Sequence, residues 1–134
     1  MTKYILDTNI CIYIIKKKPV KVFNKFKELT PGTVCISSIT LAEMQYGIGK
    51  SSQPAKNQDA LDQFLLPLDI LEFNALAAVE YGKIRSTLEK AGTPIGSFDM
   101  LIAAHAKSMR AVLVTNNTKE FDRVPDLKIE NWAT

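Results

Sequence analysis

Four oxygen-bearing side chains occupy positions from which they could act together. Asp7 ends the apolar run "YIL", Glu43 lies in "ITLAEMQYG", Asp99 lies in "GSFDMLIAAHA", and Asn117 follows the run "AVLVT". Several carboxylates within a few ångströms repel one another unless a cation compensates them. Mg²⁺ and Mn²⁺ prefer carboxylate and amide oxygens, whereas Zn²⁺ favours the His and Cys side chains that are scarce here. These residue types indicate a divalent-metal site suited to phosphoester hydrolysis.

Each of these residues also has a purely structural explanation. Asp7 could cap the following helix, and Asp99 could interact favourably with the dipole at a helix N-terminus. Glu43 could be an exposed position on an amphipathic helix, and Asn117 could be a turn residue. The joint pattern is much less frequent by accident than any one member, so we interpret the four together.

The elements that would position these side chains alternate along the chain. Apolar runs predict strands at 4–7, 33–37, 68–73, 111–115 and 127–131, and helical spacing predicts helices at 8–16, 20–29, 38–48, 53–67, 74–91 and 98–109 with a helical turn at 118–121. We expect Thr8 or Asn9, Ser37 or Ser38, Asn74 and Ser97 to cap helices, and Gly47 and Gly49 to end one. This order predicts one α/β domain over 1–134, with a central, mostly parallel sheet and helices on both faces.

A parallel sheet explains how distant residues could meet. Asp7 and Asn117 follow strands, and Glu43 lies about a turn and a half into the helix after the second strand. Asp99 falls at the start of a helix whose first turn could face the same edge. Since sites in such sheets form at the carboxyl ends of the strands, we expect all four side chains at one edge.

Composition excludes several classes of protein. The chain has 134 residues, of which 46% are hydrophobic and 23% charged, and no apolar stretch approaches the ~20 residues of a membrane span. The N-terminus lacks the features of a signal peptide, so we expect a cytoplasmic protein with no membrane association. Cys11 and Cys35 are expected to be buried thiols without a chemical role. A net charge of +3 is too weak to indicate nucleic-acid binding, although six lysines cluster within 16–27.

The motifs resemble those of a known family. "ILDTNI", "SSITLAEMQYG", "GSFDMLIAAHA" and "LVTNNTKEF", in this order, are similar to the successive motifs of the PIN-domain ribonucleases, and more narrowly of the VapC toxins of bacterial toxin–antitoxin pairs. The resemblance extends nearly from end to end, and the closing "EFDRVPDLKIENW" is also similar to the VapC C-terminus. It implies a PIN-like domain with Mg²⁺- or Mn²⁺-dependent endoribonuclease activity on structured RNA, often tRNA, which inhibits translation.

The resemblance also implies roles for individual residues. Asp7, Glu43 and Asp99 match the metal-binding, catalytic acids of the family. The fourth family position, frequently an aspartate, falls on Asn117, whose neutral amide cannot act as a base, so the number of metals is open. Asn117 could bind a metal, hold a water or touch RNA, and Glu120 could supply charge nearby.

Further residues and partners follow from the same resemblance. Thr8, Asn9 and Thr115 resemble residues that support the ligands or contact phosphate. The family implies a homodimer and a VapB-type antitoxin protein across the active site, with the helices between 10 and 29 as a candidate wall of its groove. His105, the sole histidine, lies in an apolar stretch, and we expect it to be structural.

Two other functions share these sequence features. An aspartyl-phosphate-type phosphatase also begins with a strand that ends in aspartate, but it needs a second aspartate where this chain has Asn9. A non-enzymatic α/β binding module would share the fold and some of the acids. Loss of metal-dependent RNA cleavage on replacing Asp7 would separate a nuclease from both.

Overall fold

Five parallel strands form the centre of the molecule. The computed structural model describes residues 2–134, so Met1 of the predicted domain lies outside the described residues. Within them the strands are β1 (Tyr4–Leu6), β2 (Val34–Ser37), β3 (Asp69–Leu71), β4 (Val112–Val114) and β5 (Ile129–Glu130). They lie in the order β3-β2-β1-β4-β5, and each neighbouring pair is parallel. The predicted parallel sheet is confirmed, with strands one to three residues shorter than expected.

Seven helices within residues 2–134 connect and cover these strands. They are α1 (Thr8–Lys16), α2 (Val20–Glu28), α3 (Ser38–Gly49), α4 (Pro54–Leu65), α5 (Ala75–Lys90), α6 (Ser97–Ser108) and the single turn α7 (Thr118–Phe121). All seven correspond to predicted segments. None of the helices in this part of the chain combines the length and the apolar composition needed to cross a membrane.

Successive residues of each strand pack into two separate hydrophobic cores. Ile5 and Leu113 pack on one face with buried residues of α5 and α6. Their neighbours Leu6 and Val114 pack on the other face with α1, α2, α3 and α4. Because successive side chains of a strand point to opposite faces, each short strand serves both cores, which confirms helices on both faces. Cys11 and Cys35 are buried free thiols, as expected.

Several predicted helix ends are wrong in detail. Asp7, rather than Thr8 or Asn9, caps α1, because the Asp7 Oδ1 atom accepts a hydrogen bond from the Ile10 N–H. Gly96, rather than Ser97, precedes α6, and Ser97 is its first helical residue. The caps at Ser37 and Asn74 are confirmed by hydrogen bonds from the backbone two and three residues further on.

The glycines of α3 also differ from expectation. Gly47 and Gly49 lie inside the helix, which continues to Gly49 and is capped by Lys50. Neither glycine has a positive φ, so neither supplies the left-handed residue that commonly ends a helix. The space that Gly47 leaves open beside α3 becomes relevant to the candidate site.

Candidate active site

Asp7 lies at the carboxyl end of the central strand, and its side chain is 5% exposed. Its Oδ1 atom accepts a 2.9 Å hydrogen bond from the Ile10 N–H. Burial raises the pKa of Asp7, whereas hydrogen bonds from the Thr115 hydroxyl and the Ile10 backbone lower it, and the negative charge of Glu43 raises it further. Asp7 is therefore both a helix cap and a constrained carboxylate at the edge of the sheet.

Glu43 is held by a residue that directly follows Asp7. The Thr8 hydroxyl donates a 2.7 Å hydrogen bond to the Glu43 Oε1 atom. Thr8 begins α1, and Glu43 lies in the second turn of α3, 35 residues away. This bond fixes the Glu43 carboxylate beside the residue that follows Asp7 at the end of β1.

Asp99 and Glu120 are coupled electrostatically. Asp99 lies in the first turn of α6, and Glu120 lies in α7. The pKa of Asp99 is raised to about 6, first by burial and then by the charges of Glu120, Asp7 and Glu43, with a further contribution from a hydrogen bond between the Asp99 and Glu120 carboxyl groups. Two carboxyl groups can share a hydrogen bond only when one of them is protonated. The structure thus brings four acids from four elements into one electrostatic unit.

Asn117 contacts this unit through Glu120. Its side-chain amide donates a 3.0 Å hydrogen bond to the Glu120 Oε2 atom, and its backbone N–H donates to the Thr115 hydroxyl at 2.9 Å. Asn117 therefore orients the carboxylate of Glu120, which supplies the negative charge that the asparagine lacks. Asn9 lies exposed on the first turn of α1.

One contact near the site had no signal in the sequence. The Asn116 side-chain amide donates a 2.8 Å hydrogen bond to the hydroxyl of Tyr13, 103 residues away. This bond ties the segment after β4 to α1. Tyr13 lies in an apolar stretch of the sequence, and no spacing rule relates it to Asn116.

The chemistry of the donors fits a hard divalent cation in an open site. No group of three or more His, Cys, Asp or Glu side chains among residues 2–134 is arranged to hold a metal ion as it stands. Mg²⁺ usually binds through one or two carboxylates, keeps several waters and completes its shell with substrate phosphates. The acid unit offers only carboxylates. Burial and, after it, the charges of the neighbouring acids raise the pKa of Asp99, and a cation would relieve the part that is due to charge.

His105 does not belong to the acid unit. It is 2% exposed, its Nδ1 atom lies 2.7 Å from the Ser37 Oγ atom, and its ring packs edge-on against Phe73. Burial lowers its pKa, so the imidazole is neutral near pH 7. Because Ser37 also caps α3, the expected structural role is supported: His105 braces the junction of β2 and α3.

The raised pKa of Asp99 leads to a prediction about stability. The pKa rises from 3.8 to about 6 on folding, so the folded state binds more protons and loses stability as pH rises between these values. We expect Asp99→Asn to raise the free energy of unfolding of the metal-free protein by about 1 kcal/mol above pH 6. This is less than the pKa shift alone would give, because solvent screens a carboxyl group that is only partly buried. Near pH 4 this gain largely disappears. Urea unfolding of the wild-type protein and the variant, in chelator, near pH 4 and above pH 6, measures the gain in stability. A gain of the same size at the two pH values would contradict the interpretation.

Comparisons with known proteins agree with this geometry. Residues 4–127 match the PIN domain family. The chain is 47% identical over 133 residues to the tRNA(fMet)-specific endonuclease VapC of Shigella flexneri, covering 99% of this chain and 100% of that protein. It is 50% identical over 130 residues to ribonuclease VapC2 of Rickettsia felis, covering 96% and 97%.

Solved structures show the same relationship. VapBC2 from Rickettsia felis, crystallised with a DNA fragment from its promoter, contains a chain with a TM-score of 0.92 and 48% identity, covering 98% of this chain and 99% of that one. DNA-bound VapBC from Salmonella typhimurium gives a TM-score of 0.92 and 45% identity, with the same coverage. These matches favour a nuclease over a phosphatase or a binding module. The chain belongs to the PIN-domain family and, within it, to the VapC ribonucleases.

Proposed function

We propose that the protein is an endoribonuclease whose Mg²⁺, or Mn²⁺ in its place, is held by Asp7, Glu43 and Asp99. The observation that carries this proposal is geometric: Asp7 ends β1, and the hydroxyl of its neighbour Thr8 holds the Glu43 carboxylate at 2.7 Å. Asp99 belongs to the same group, because its pKa is raised by burial and also by the charges of Glu120, Asp7 and Glu43. Unpaired carboxylates gathered in this way destabilise the fold, so their arrangement favours a role that requires a cation.

The chain's own residues have different roles around that cation. A divalent cation bound there would supply a water of lowered pKa and neutralise charge on the phosphate oxygens. Thr8 and Thr115 hold the carboxylates of Glu43 and Asp7 in place. Glu120, oriented by Asn117, supplies the fourth carboxylate, beside Asp99. If one metal ion binds, Glu120 adds negative charge beside it. If a second metal ion binds, Glu120 offers it an oxygen ligand.

The substrate we propose is tRNA, and the setting is the cytoplasm. The relative from Shigella flexneri is named a tRNA(fMet)-specific endonuclease, and it covers nearly all of this chain. Cleavage of a tRNA would stop translation. Sequence-specific RNA recognition mostly targets loops and unpaired nucleotides, which a tRNA presents at fixed positions.

A VapB-type antitoxin is the proposed protein partner. The neighbouring solved structures are VapBC assemblies. A groove of about 350 Å³ beside Thr8 and Glu43 offers an apolar seat for a partner segment, lined by Ile12, Ile15, Met44, Ile48 and Leu61 of α1, α3 and α4. The helices between residues 10 and 29 are predicted to line the antitoxin groove, and of these α1 lines the groove beside Thr8 and Glu43. Loss of antitoxin binding in Ile15→Asp, but not in Val20→Asp, would support this location.

A homodimer is also proposed. Leu76 and Val79 lie three residues apart on α5, so they share a face, and both are more than half exposed. An exposed apolar pair of this kind suits a contact between two copies. A chain that sediments as a monomer at micromolar concentration would contradict this proposal.

The experiment that tests the function is sequencing of RNA ends from cells that express the chain. We expect new ends at one position in a tRNA, absent with Asp7→Ala. Asp59→Ala is the matched control, because Asp59 is an exposed acid on α4 outside the acid unit. Identical RNA ends with the wild-type chain and Asp7→Ala would reject the proposal.

A further inference from the structure

A second cavity opens beside Thr8 and Glu43 of the candidate active site. It has a volume of about 710 Å³ and shares Thr8 and Glu43 with the site. Its other walls include Tyr46 of α3, Lys50 directly after that helix, and Phe98 at the start of α6. The cavity is therefore continuous with the place where a phosphodiester would be cut.

Two exposed aromatic rings line this cavity. Tyr46 is 70% exposed and Phe98 is 52% exposed, although large aromatic side chains are usually more buried. Tyr46 lies three residues after Glu43 on the same face of α3, and Phe98 directly precedes Asp99. Both rings line the cavity together with Glu43.

A cation accompanies the rings. The Lys50 Nζ atom lies 4.9 Å from the centroid of the Tyr46 ring. An aromatic ring and a cation in one open groove are the combination that proteins use for single-stranded nucleic acid, where bases stack on the ring and phosphates contact the cation. Lys50 also offsets the negative charge of the neighbouring acids for an approaching phosphate.

Gly47 keeps the cavity open. It lies inside α3, where glycine is less favourable than alanine, and it lines the cavity. A Cβ atom added at residue 47 would meet no atom within 4 Å, so packing within the chain does not require glycine there. An unfilled position beside two exposed rings fits a site that receives a ligand.

We propose that this cavity receives one unpaired base of the RNA substrate, next to the phosphate that is cut. The base stacks on Tyr46 and contacts Phe98, and Lys50 binds the adjacent phosphate. The inference rests on the proposed ribonuclease function and adds to it: the substrate must present an unpaired nucleotide at the cut. Double-stranded RNA is therefore a poor substrate.

The test uses a stem–loop RNA that the wild-type chain cleaves, made with the fluorescent base 2-aminopurine at successive loop positions. Binding is measured with Asp99→Asn protein, which lacks cleavage and one negative charge. We expect protein binding to quench the fluorescence of 2-aminopurine at one loop position, next to the cleaved phosphate. Tyr46→Ala in this background should remove the quenching and weaken binding about tenfold, whereas Tyr46→Phe should retain both.

Three further variants sharpen the result. Gly47→Leu adds a side chain to the cavity wall, at a position where a Cβ atom meets no other atom within 4 Å, and should weaken RNA binding as Tyr46→Ala does. In Lys50→Gln the slope of log Kd against log salt concentration should fall by about one, because one contact with a phosphate is lost. In Lys50→Arg the slope should stay the same. Leu66→Ala removes an apolar side chain that is 78% exposed and lies outside the cavity, so it should change nothing.

The outcomes separate this inference from the function on which it rests. If the wild-type chain cleaves no RNA with any divalent metal, the proposed function fails. If it cleaves RNA but no loop position is quenched, or Tyr46→Ala binds as tightly as its parent, the inference is overturned and the function stands. If Tyr46→Ala instead converts a dimer to a monomer, the rings belong to a contact between copies and the inference is also overturned.

Discussion

Replacing Asp99 by asparagine is expected to reduce RNA cleavage by about a thousandfold while the protein stays folded. Asp99 is only partly buried, and an amide of the same shape can donate a hydrogen bond to Glu120, so the fold should tolerate the change. Single-turnover cleavage of a labelled tRNA, with circular dichroism as the folding check, measures both. Asp59→Asn is the matched control, because it removes an exposed acid that lies outside the acid unit.

The outcome distinguishes a metal ligand from a residue that only stabilises a helix. If the negative charge of Asp99 served only the N-terminus of α6, its loss would cost stability and leave the rate unchanged. A folded variant that cleaves at the wild-type rate would remove Asp99 from the site. Glu120→Gln is a useful companion: a comparable loss of rate would make Glu120, rather than Asn117, the fourth functional residue.

Removing divalent metal is expected to abolish cleavage and to lower the thermal stability of the protein. Without a cation, burial and the charges of Glu120, Asp7 and Glu43 disfavour the ionised form of Asp99. A cation that binds only the folded state stabilises it by mass action, so saturating Mg²⁺ should raise the melting temperature of the chelated protein by a few degrees. Calorimetry and cleavage assays with chelator, and then with Mg²⁺ or Mn²⁺ restored, measure the two effects.

The same experiment includes a test that does not depend on activity. Asp99→Asn is expected to stabilise the metal-free protein and also to lose most of the melting-temperature gain from Mg²⁺, because one change removes both the repulsion and a ligand. Undiminished cleavage in excess chelator would reject a metal-dependent mechanism. An unchanged Mg²⁺ effect in the variant would place the ion elsewhere on the chain.

The sequence was sufficient for the architecture because the relevant signals are local. Short apolar runs separated by helical spacing predict the order of strands and helices, and parallel strands must present their carboxyl ends at one edge. Asp7 directly follows β1 and Asn117 comes three residues after the end of β4, so their placement at that edge could be predicted. Helix ends were less accurate: α1 begins at Thr8 with Asp7 as its cap, because a carboxylate that ends a strand can also accept a backbone hydrogen bond.

The tertiary structure alone decided how the acids are held and which of them interact. The bond between Thr8 and Glu43 depends on how α1 packs beside α3, and no spacing in the sequence encodes that angle. The contact between Asp99 and Glu120 depends on how α6 and α7 approach the edge of the sheet. The sequence determined which residue types reach the site, since strand order and helix period are local properties; distances and charge coupling between them required the packed chain, because they arise from contacts between residues far apart in sequence.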